Sequence, residues 1–333
     1  MEKRIKNRFN EAILQEALRR YGITNDQIEE LDGFESFIYE ARRNTEEYIL
    51  RIGHSLRRSI PLIQGEVDWI NYLADGGASV ASAILSQNEK LVELIDDGQG
   101  EHFLVTAFVK AQGKPPWEIG WTPALFETYG RLLGRIHALS KQYRPTDAGC
   151  ARPQWDDPIM QDVARNLPSS ESAAVDRYRA IMTHLVTLPK DDETFGLIHY
   201  DTHAANLFVD EVGNMTLFDF DDCAYSWYIQ DIAIVLFYMV ATEDDATGVT
   251  QRFMPHFLRG YSQETRLDAK WLKEIPYFLK QRETDLYGVI HRSFDVNAID
   301  DRWVGRFMQD RKRRIEQDVP FIDFDFESLA QYL

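Results

Sequence analysis

From His199 to Asn206 the chain reads His-Tyr-Asp-Thr-His-Ala-Ala-Asn, and from Leu217 to Asp221 it reads Leu-Phe-Asp-Phe-Asp. Asp201 is followed by Asn206 five positions on and by Asp219 eighteen positions on. Those residue types suit transfer of a phosphoryl group, a reaction that asks little covalent help of a protein. It needs one carboxylate to orient and deprotonate the attacking hydroxyl, and oxygen donors to hold Mg²⁺ on the phosphates. Asp201 fits the first task, and Asn206 with Asp219 fits the second. A solvated hairpin with a polar outer face would also carry an acidic strand, but it would not require this combined spacing.

The flanking pattern gives a reason for these side chains to converge. Gly196-Leu-Ile is a short apolar run leading into His199, and Asn206 to Asp210 reads as a short strand. Asp210-Glu-Val-Gly-Asn carries turn chemistry, and Met215 to Phe220 returns as a second strand. Strand alternation predicts Phe218 and Phe220 on one face, with Leu217, Asp219 and Asp221 on the other, turned toward Asp201.

Residues 1–110 read as a small α/β unit and 111–333 as a mainly helical one carrying the loop of Asp201. In the first, a helix over Phe9–Tyr21 stops at Gly22. Strands follow at Phe34–Ala41 and Glu47–Ile52, joined by a polar turn over residues 42–45, then a helix from about Ser59 to Leu73. Two further strands, Leu91–Ile95 and His102–Val109, precede a linker at Gln112–Trp117. Beyond it only the loop Arg144–Pro158 and the hairpin interrupt helical periodicity. The fold class is therefore α+β and two-lobed: a small antiparallel-sheet lobe with a helix, and a large helical lobe. On the helix after Ser59, Ile63, Ile70 and Leu73 form a stripe on which Glu66 also falls. An inward carboxylate is costly unless paired, and Arg51, whose strand neighbours Leu50 and Ile52 point the other way, is the candidate partner. Such a pair aims a guanidinium at nucleotide phosphates; a structural ion pair is the alternative.

The 333 residues are 44% hydrophobic and 12% aromatic, which is the composition of a folded chain long enough for two lobes. A formal net charge of -17 is a poor match for nucleic acid or an anionic membrane, so neither is expected as a partner. It would suit a cationic substrate, although acidic surfaces are also an ordinary solubility device. Cys150 and Cys223 cannot build a disulfide framework or a cysteine zinc site. The first residues are charged and carry no hydrophobic leader, and the apolar run Ile229–Ala241 is too short to span a bilayer and contains Asp231. A cytoplasmic location is expected.

The segment His199–Asp231, with its H-x-D-x-H-x-x-N loop, aspartate-bearing strand and Tyr228-Ile-Gln-Asp-Ile-Ala, resembles the aminoglycoside phosphotransferase and choline kinase-like family. That resemblance implies a protein-kinase-like fold, ATP and Mg²⁺ as cofactors, and a hydroxyl acceptor in the helical lobe. It implies Asp201 as general base, Asn206 and Asp219 as metal ligands, and Asp231 with His199 supporting the catalytic loop. It also implies a nucleotide site involving Arg51, Glu66 and Ser36, with Phe108 in the adenine-clamping segment Thr106–Val109. Tyr200 stands where protein kinases carry arginine, and Asp221 stands where their glycine would follow Phe220. Both departures suit the small-molecule branch.

Homoserine-, choline-, aminoglycoside- and sugar-like alcohols are all compatible acceptors. Candidate acceptor-site residues are Asp222, Trp227 with its neighbours Tyr225 and Tyr228, and the helix segment Arg282–Tyr287, with Asp285 as an amine partner and Tyr287; helix surface or core is the bland reading of each. A protein serine is another acceptor, because Asp219-Phe-Asp-Asp222 and Phe278–Tyr287 resemble segments of bacterial stress-response kinases, the second more than its counterpart in resistance enzymes, which disfavours a dedicated antibiotic-resistance role. Two other classes remain: a non-heme metal oxygenase built on His199, Asp201 and His291, and a catalytically silent nucleotide-binding module. The helical character after residue 225 disfavours the first, and intact Asp201, Asn206 and Asp219 disfavour the second.

Overall fold

The computed structural model describes residues 1–43, 45–161 and 163–333, leaving aside the side chains of residues 164 and 165. Asn44, in the turn expected over residues 42–45, lies outside the described residues. The fold is α+β, with an antiparallel-sheet part and a helical part. By contacts the chain divides into two compact units. One comprises Met1–Gly113, Tyr143–Arg152 and Thr216–Asp221; the other comprises Lys114–Gln142, Pro153–Met215 and Asp222–Leu333.

The first unit is built on five strands: β1 (Ile28–Leu31), β2 (Phe37–Arg43), β3 (Glu46–His54), β4 (Glu93–Asp96) and β5 (His102–Val109). They lie in the order β1-β2-β3-β5-β4, with every neighbour antiparallel. Alternation divides the faces. Tyr39, Ala41, Leu50, Ile52, Phe103, Val105 and Ala107 enter one apolar core with Ile13, Ala17, Leu18 and Tyr21 of helix α1 (Glu11–Tyr21). Asn10 caps α1 by accepting from the Ala12 and Ile13 amides at 3.0 and 3.2 Å, and Gly22 ends it in the left-handed region. In the sheet register Ile38, Arg51 and Thr106 align as one cross-strand row. Helix α2 (Ile60–Asp75) follows β3, starts with proline in its first turn and buries Ile63, Glu66, Val67, Trp69, Ile70 and Leu73.

The second unit holds α3 (Pro123–Ser140), α4 (Ser172–Leu185), β6 (Phe195–Ile198), β7 (Leu207–Val209), β9 (Ala224–Trp227), α5 (Tyr228–Val240), α6 (Ala246–Ser262) and α7 (Ile275–Ser293). Strand β8 (Met215–Leu217) closes the hairpin after β7 and carries the chain out of this unit. β6 and β9 pair antiparallel, with Ile198 opposite Ala224. α5 is apolar all round because it is buried all round: Ile229 through Phe237 are without significant exposure. Among the described residues no helix is long and apolar enough to cross a membrane.

The expected returning strand is shorter than its pattern. β8 stops at Leu217, and Asp219 takes φ 60°, which breaks the two-residue period. Leu217 is buried and Phe218 only half-buried, so the predicted division into a phenylalanine face and a leucine–aspartate face does not form. Asp219 itself is exposed.

Candidate active site

The loop leaving β6 is pinned by one buried acid. Asp231, in the first turn of α5 and 0% exposed, accepts from the His199 amide at 2.9 Å and the Tyr200 amide at 2.8 Å. Its backbone carbonyl accepts from the Thr202 hydroxyl at 3.1 Å, and Tyr129 of α3 donates to the Thr202 carbonyl at 3.2 Å. These bonds hold Tyr200 at φ 69°, a left-handed conformation that a bulky residue keeps only when its surroundings impose it. His137 of α3 backs Asp231 in turn, with Nε2 3.2 Å from Oδ2 and Nδ1 2.9 Å from the Tyr261 hydroxyl. Burial holds the His137 ring below its ordinary pKa despite the carboxylate beside it. The His199 ring is fully buried, and its Nδ1 accepts from the Asp201 amide at 3.2 Å.

Asp201 emerges from this brace half-buried. The residues after it form a short 3₁₀ turn, Ala204–Asn206, capped by His203, whose Nδ1 accepts from the Ala205 amide at 3.1 Å. His203 Nε2 then lies 3.1 Å from Asp201 Oδ2. Asn206 Nδ2 donates to the Asp201 carbonyl at 3.1 Å and to Oδ2 at 3.3 Å, which turns its own Oδ1 away from Asp201. Arg282 of α7 donates to Oδ1. Burial alone would raise the Asp201 carboxyl; His203 and the Arg282 guanidinium outweigh it and hold the group well below the usual carboxylate range.

Within the first unit Arg51 and Glu66 meet as a buried bidentate pair, Nη1 to Oε1 at 2.8 Å and Nη2 to Oε2 at 2.7 Å. Burial would lower the Arg51 pKa, but Glu66 more than compensates and the guanidinium is held above its ordinary value. The Phe108 ring lies under that guanidinium, 4.9 Å from its centroid. Ser36, Arg51, Arg57, Arg58, Thr106 and Asp221 line a small cleft here. Thr106 Oγ1 is buried without a hydrogen-bond partner. An orphaned hydroxyl among three guanidinium groups is a donor set that fits nucleotide phosphates. Asp221 is clamped by Arg57 Nη1 at 2.6 Å and Arg58 Nε at 3.2 Å, while Arg152 donates to its carbonyl at 2.6 Å. Against burial, which would raise it, Arg58 and Arg57 hold the Asp221 carboxyl well below the ordinary range.

The second unit also contains a cavity of about 1000 Å³ that reaches the loop through His203, Ala204 and Ala205. Trp117, Trp121, Phe126, Tyr238 and Trp303 supply its aromatic walls; Trp117 is 56% and Trp303 37% exposed. Glu243, Arg252 and His256 add the charged and titratable groups. Tyr238 joins the cavity to Asp201: its hydroxyl accepts from Arg282 at 2.7 Å, and burial pushes that hydroxyl up to about 12.

The acceptor residues proposed from sequence are distributed differently. Trp227 is fully buried, donates to the Pro189 carbonyl at 2.8 Å and packs against Trp155, so it is a core residue. Tyr287 is buried in a cluster with Ala174 and Ile315, its hydroxyl donating to Glu171 at 2.8 Å. Neither lines the large cavity. Asp285 is buried, and the charges of Asp222 and Asp285 both act on Tyr200. The arrangement of two histidines and one carboxylate is not formed: among the described residues no three His, Cys, Asp or Glu side chains are grouped to hold an ion, and His291 packs on Tyr287 instead. Sequence reasoning missed the Arg57–Arg58 clamp, Tyr238 and Arg282. Arg282 stood within the segment Arg282–Tyr287 expected at the acceptor site, but its contact with Asp201, 81 residues away in sequence, carried no local signal.

A small antiparallel-sheet lobe, a helical lobe and a braced Asp–Asn loop define a kinase-type phosphotransferase. The chain belongs to the phosphotransferase enzyme family that includes the aminoglycoside phosphotransferases, whose model matches residues 28–273. It is 37% identical over 335 residues to amicoumacin kinase of Bacillus subtilis (strain 168), covering 99% of each chain. A solved amicoumacin kinase in complex with AMP-PNP, Ca²⁺ and Ami superposes with a TM-score of 0.93 at 35% identity, covering 99% of this chain and 100% of that one. A microcompartment-associated aminopropanol kinase shares the fold, with a TM-score of 0.69 at 21% identity over 96% of this chain and 95% of that one.

Proposed function

We propose that this kinase moves the γ-phosphoryl group of MgATP to a hydroxyl of a small, amine-bearing molecule, and that an amicoumacin-like compound is the acceptor. The observation that carries this reading is Asp201, held on both carboxylate oxygens by His203, Asn206 and Arg282, on a loop that reaches a cavity of about 1000 Å³. That space exceeds what choline or an amino alcohol requires, and its aromatic walls with Glu243 suit an acceptor that carries both apolar surface and an amine. The 37% identity to amicoumacin kinase supports the same acceptor class.

In this reading Asp201 orients the acceptor hydroxyl and takes its proton as the new oxygen–phosphorus bond forms and the bond from the γ-phosphorus to the bridging oxygen of ADP breaks. Asn206 Oδ1 and the Asp219 carboxylate would each offer a hard oxygen donor to Mg²⁺, which would neutralise charge on the phosphates. Arg51, steered by Glu66, and the hydroxyls of Ser36 and Thr106 face the nucleotide, with Phe108 behind Arg51. His199 and Asp231 keep the loop in its strained conformation.

Acceptor-dependent ADP release with amicoumacin, aminoglycosides, choline and homoserine tests the acceptor. Turnover with amicoumacin above the rest is expected; release driven only by choline or homoserine would reject that acceptor class. Asp201→Asn should abolish turnover and leave MgATP binding intact, and unchanged ATP consumption in that variant sinks the role of Asp201.

A further inference from the structure

Resting on the reading that Asp201 receives the acceptor's proton, the geometry points to Arg282 as a positioning residue. It holds Oδ1 of that carboxylate and makes Oδ1 the atom that faces the acceptor hydroxyl. A carboxylate offers about four lone-pair sites on its two oxygens. Oδ2 is fully engaged by its own loop, with His203 Nε2 at 3.1 Å and Asn206 Nδ2 at 3.3 Å. Oδ1 receives Arg282 Nη2 and keeps a lone pair open. A hydroxyl that is to give up its proton to this carboxylate therefore docks on Oδ1, next to the guanidinium.

Two donors on a single oxygen leave a carboxylate able to swing about that oxygen. The third donor, arriving from α7 rather than from the loop, removes this freedom. Arg282 is itself fixed by Tyr238: the same Nη2 donates to the Tyr238 hydroxyl at 2.7 Å, and the guanidinium lies 5.2 Å from the ring centroid. Tyr238 is a wall of the large cavity, stacked on Trp303 at 6.0 Å. An acceptor filling the cavity rests on the tyrosine that aims the arginine that aims the base. Occupation of the cavity and alignment of Asp201 are thereby linked through three side chains.

The test is steady-state ADP release by the full chain from MgATP, with amicoumacin and with water alone as acceptor. Arg282→Met is expected to lower kcat by about 100-fold, the cost of misplacing a reacting group by roughly 1 Å. KM for ATP should stay within about twofold of wild type, because Arg282 contacts Asp201 and Tyr238 and none of the residues assigned to the nucleotide. Arg282→Lys should fall between the two, and guanidinium ion added to Arg282→Ala should restore part of the rate, a response that a merely structural role would not give. A kcat for Arg282→Met near wild type overturns the proposal. So does an Arg282→Ala protein of wild-type melting temperature that ignores guanidinium. Asp201→Asn separates the two claims: if it still turns over, the base assignment fails, whereas an inactive Asp201→Asn beside an unaffected Arg282→Met rejects only the role of Arg282. If wild type transfers to water alone, the same ratios are read on that hydrolysis.

Discussion

Arg51 and Glu66 are both shielded from water, so each is tolerable only because of the other. Removing one partner leaves a buried, uncompensated charge, which costs about 3–5 kcal/mol. Arg51→Met should therefore lower the urea midpoint sharply. Replacing both, as Arg51→Met with Glu66→Leu, should recover most of that stability, since apolar substitutes for a buried pair are often neutral. Nucleotide affinity is the second readout. If Arg51 faces phosphate, the double variant is stable and still has a raised KM for ATP. A double variant with wild-type KM shows that the pair is structural only. This pair was legible in the sequence because Glu66 breaks an apolar stripe and Arg51 points away from its apolar neighbours. Asp231 was legible for the same reason, an acid in an all-apolar helix that needed backbone amides. Arg282 was not: it meets Asp201 from 81 residues away, and no local period encodes such a meeting.

At the scale of elements, the brace behind the loop depends on how closely α3 and α6 approach. A Cβ on Gly130 would sit 1.8 Å from the Phe257 carbonyl oxygen, and one on Gly260 would sit 2.0 Å from that of Glu127. The two helices thus touch backbone to backbone. That approach brings His137 of α3 to Tyr261 of α6, and His137 carries the contact on to Asp231. Gly130→Ala forces the helices apart and should cost about 1–3 kcal/mol by overpacking, read as a lower urea midpoint. It should also reduce kcat more than KM for ATP, because the loop loses its backing while the first unit is untouched. A Gly130→Ala protein with full stability and activity would mean that α3 does not support the loop. The helical character of this part of the chain was readable from its periodicity, whereas this glycine contact was not, since it depends on which faces of distant helices meet. The hairpin shows the opposite limit. Its strand alternation was clear, yet Asp219 left it by taking a left-handed conformation that aspartate adopts more readily than most residues.

For the whole chain, separate residues for binding and for turnover have a consequence in melting. A ligand that binds only the native state at 100 times its Kd adds about 2.7 kcal/mol of stability. In a chain of this size each 1 kcal/mol raises the midpoint by roughly 2 °C, so a non-hydrolysable ATP analogue with Mg²⁺ should raise Tm by about 5 °C. With a net charge of -17, divalent cations also stabilise the chain by relieving self-repulsion, so Mg²⁺ without nucleotide is the necessary baseline. Above that baseline, wild type and Asp201→Asn should shift equally, because Asp201 is assigned to the acceptor's proton and not to the nucleotide. Asp219→Ala and Asn206→Ala should lose most of the shift, as should wild type in excess chelator. A shift that survives chelation and both substitutions removes Asn206 and Asp219 as cation ligands. A shift missing in Asp201→Asn alone would instead assign that carboxylate to nucleotide binding.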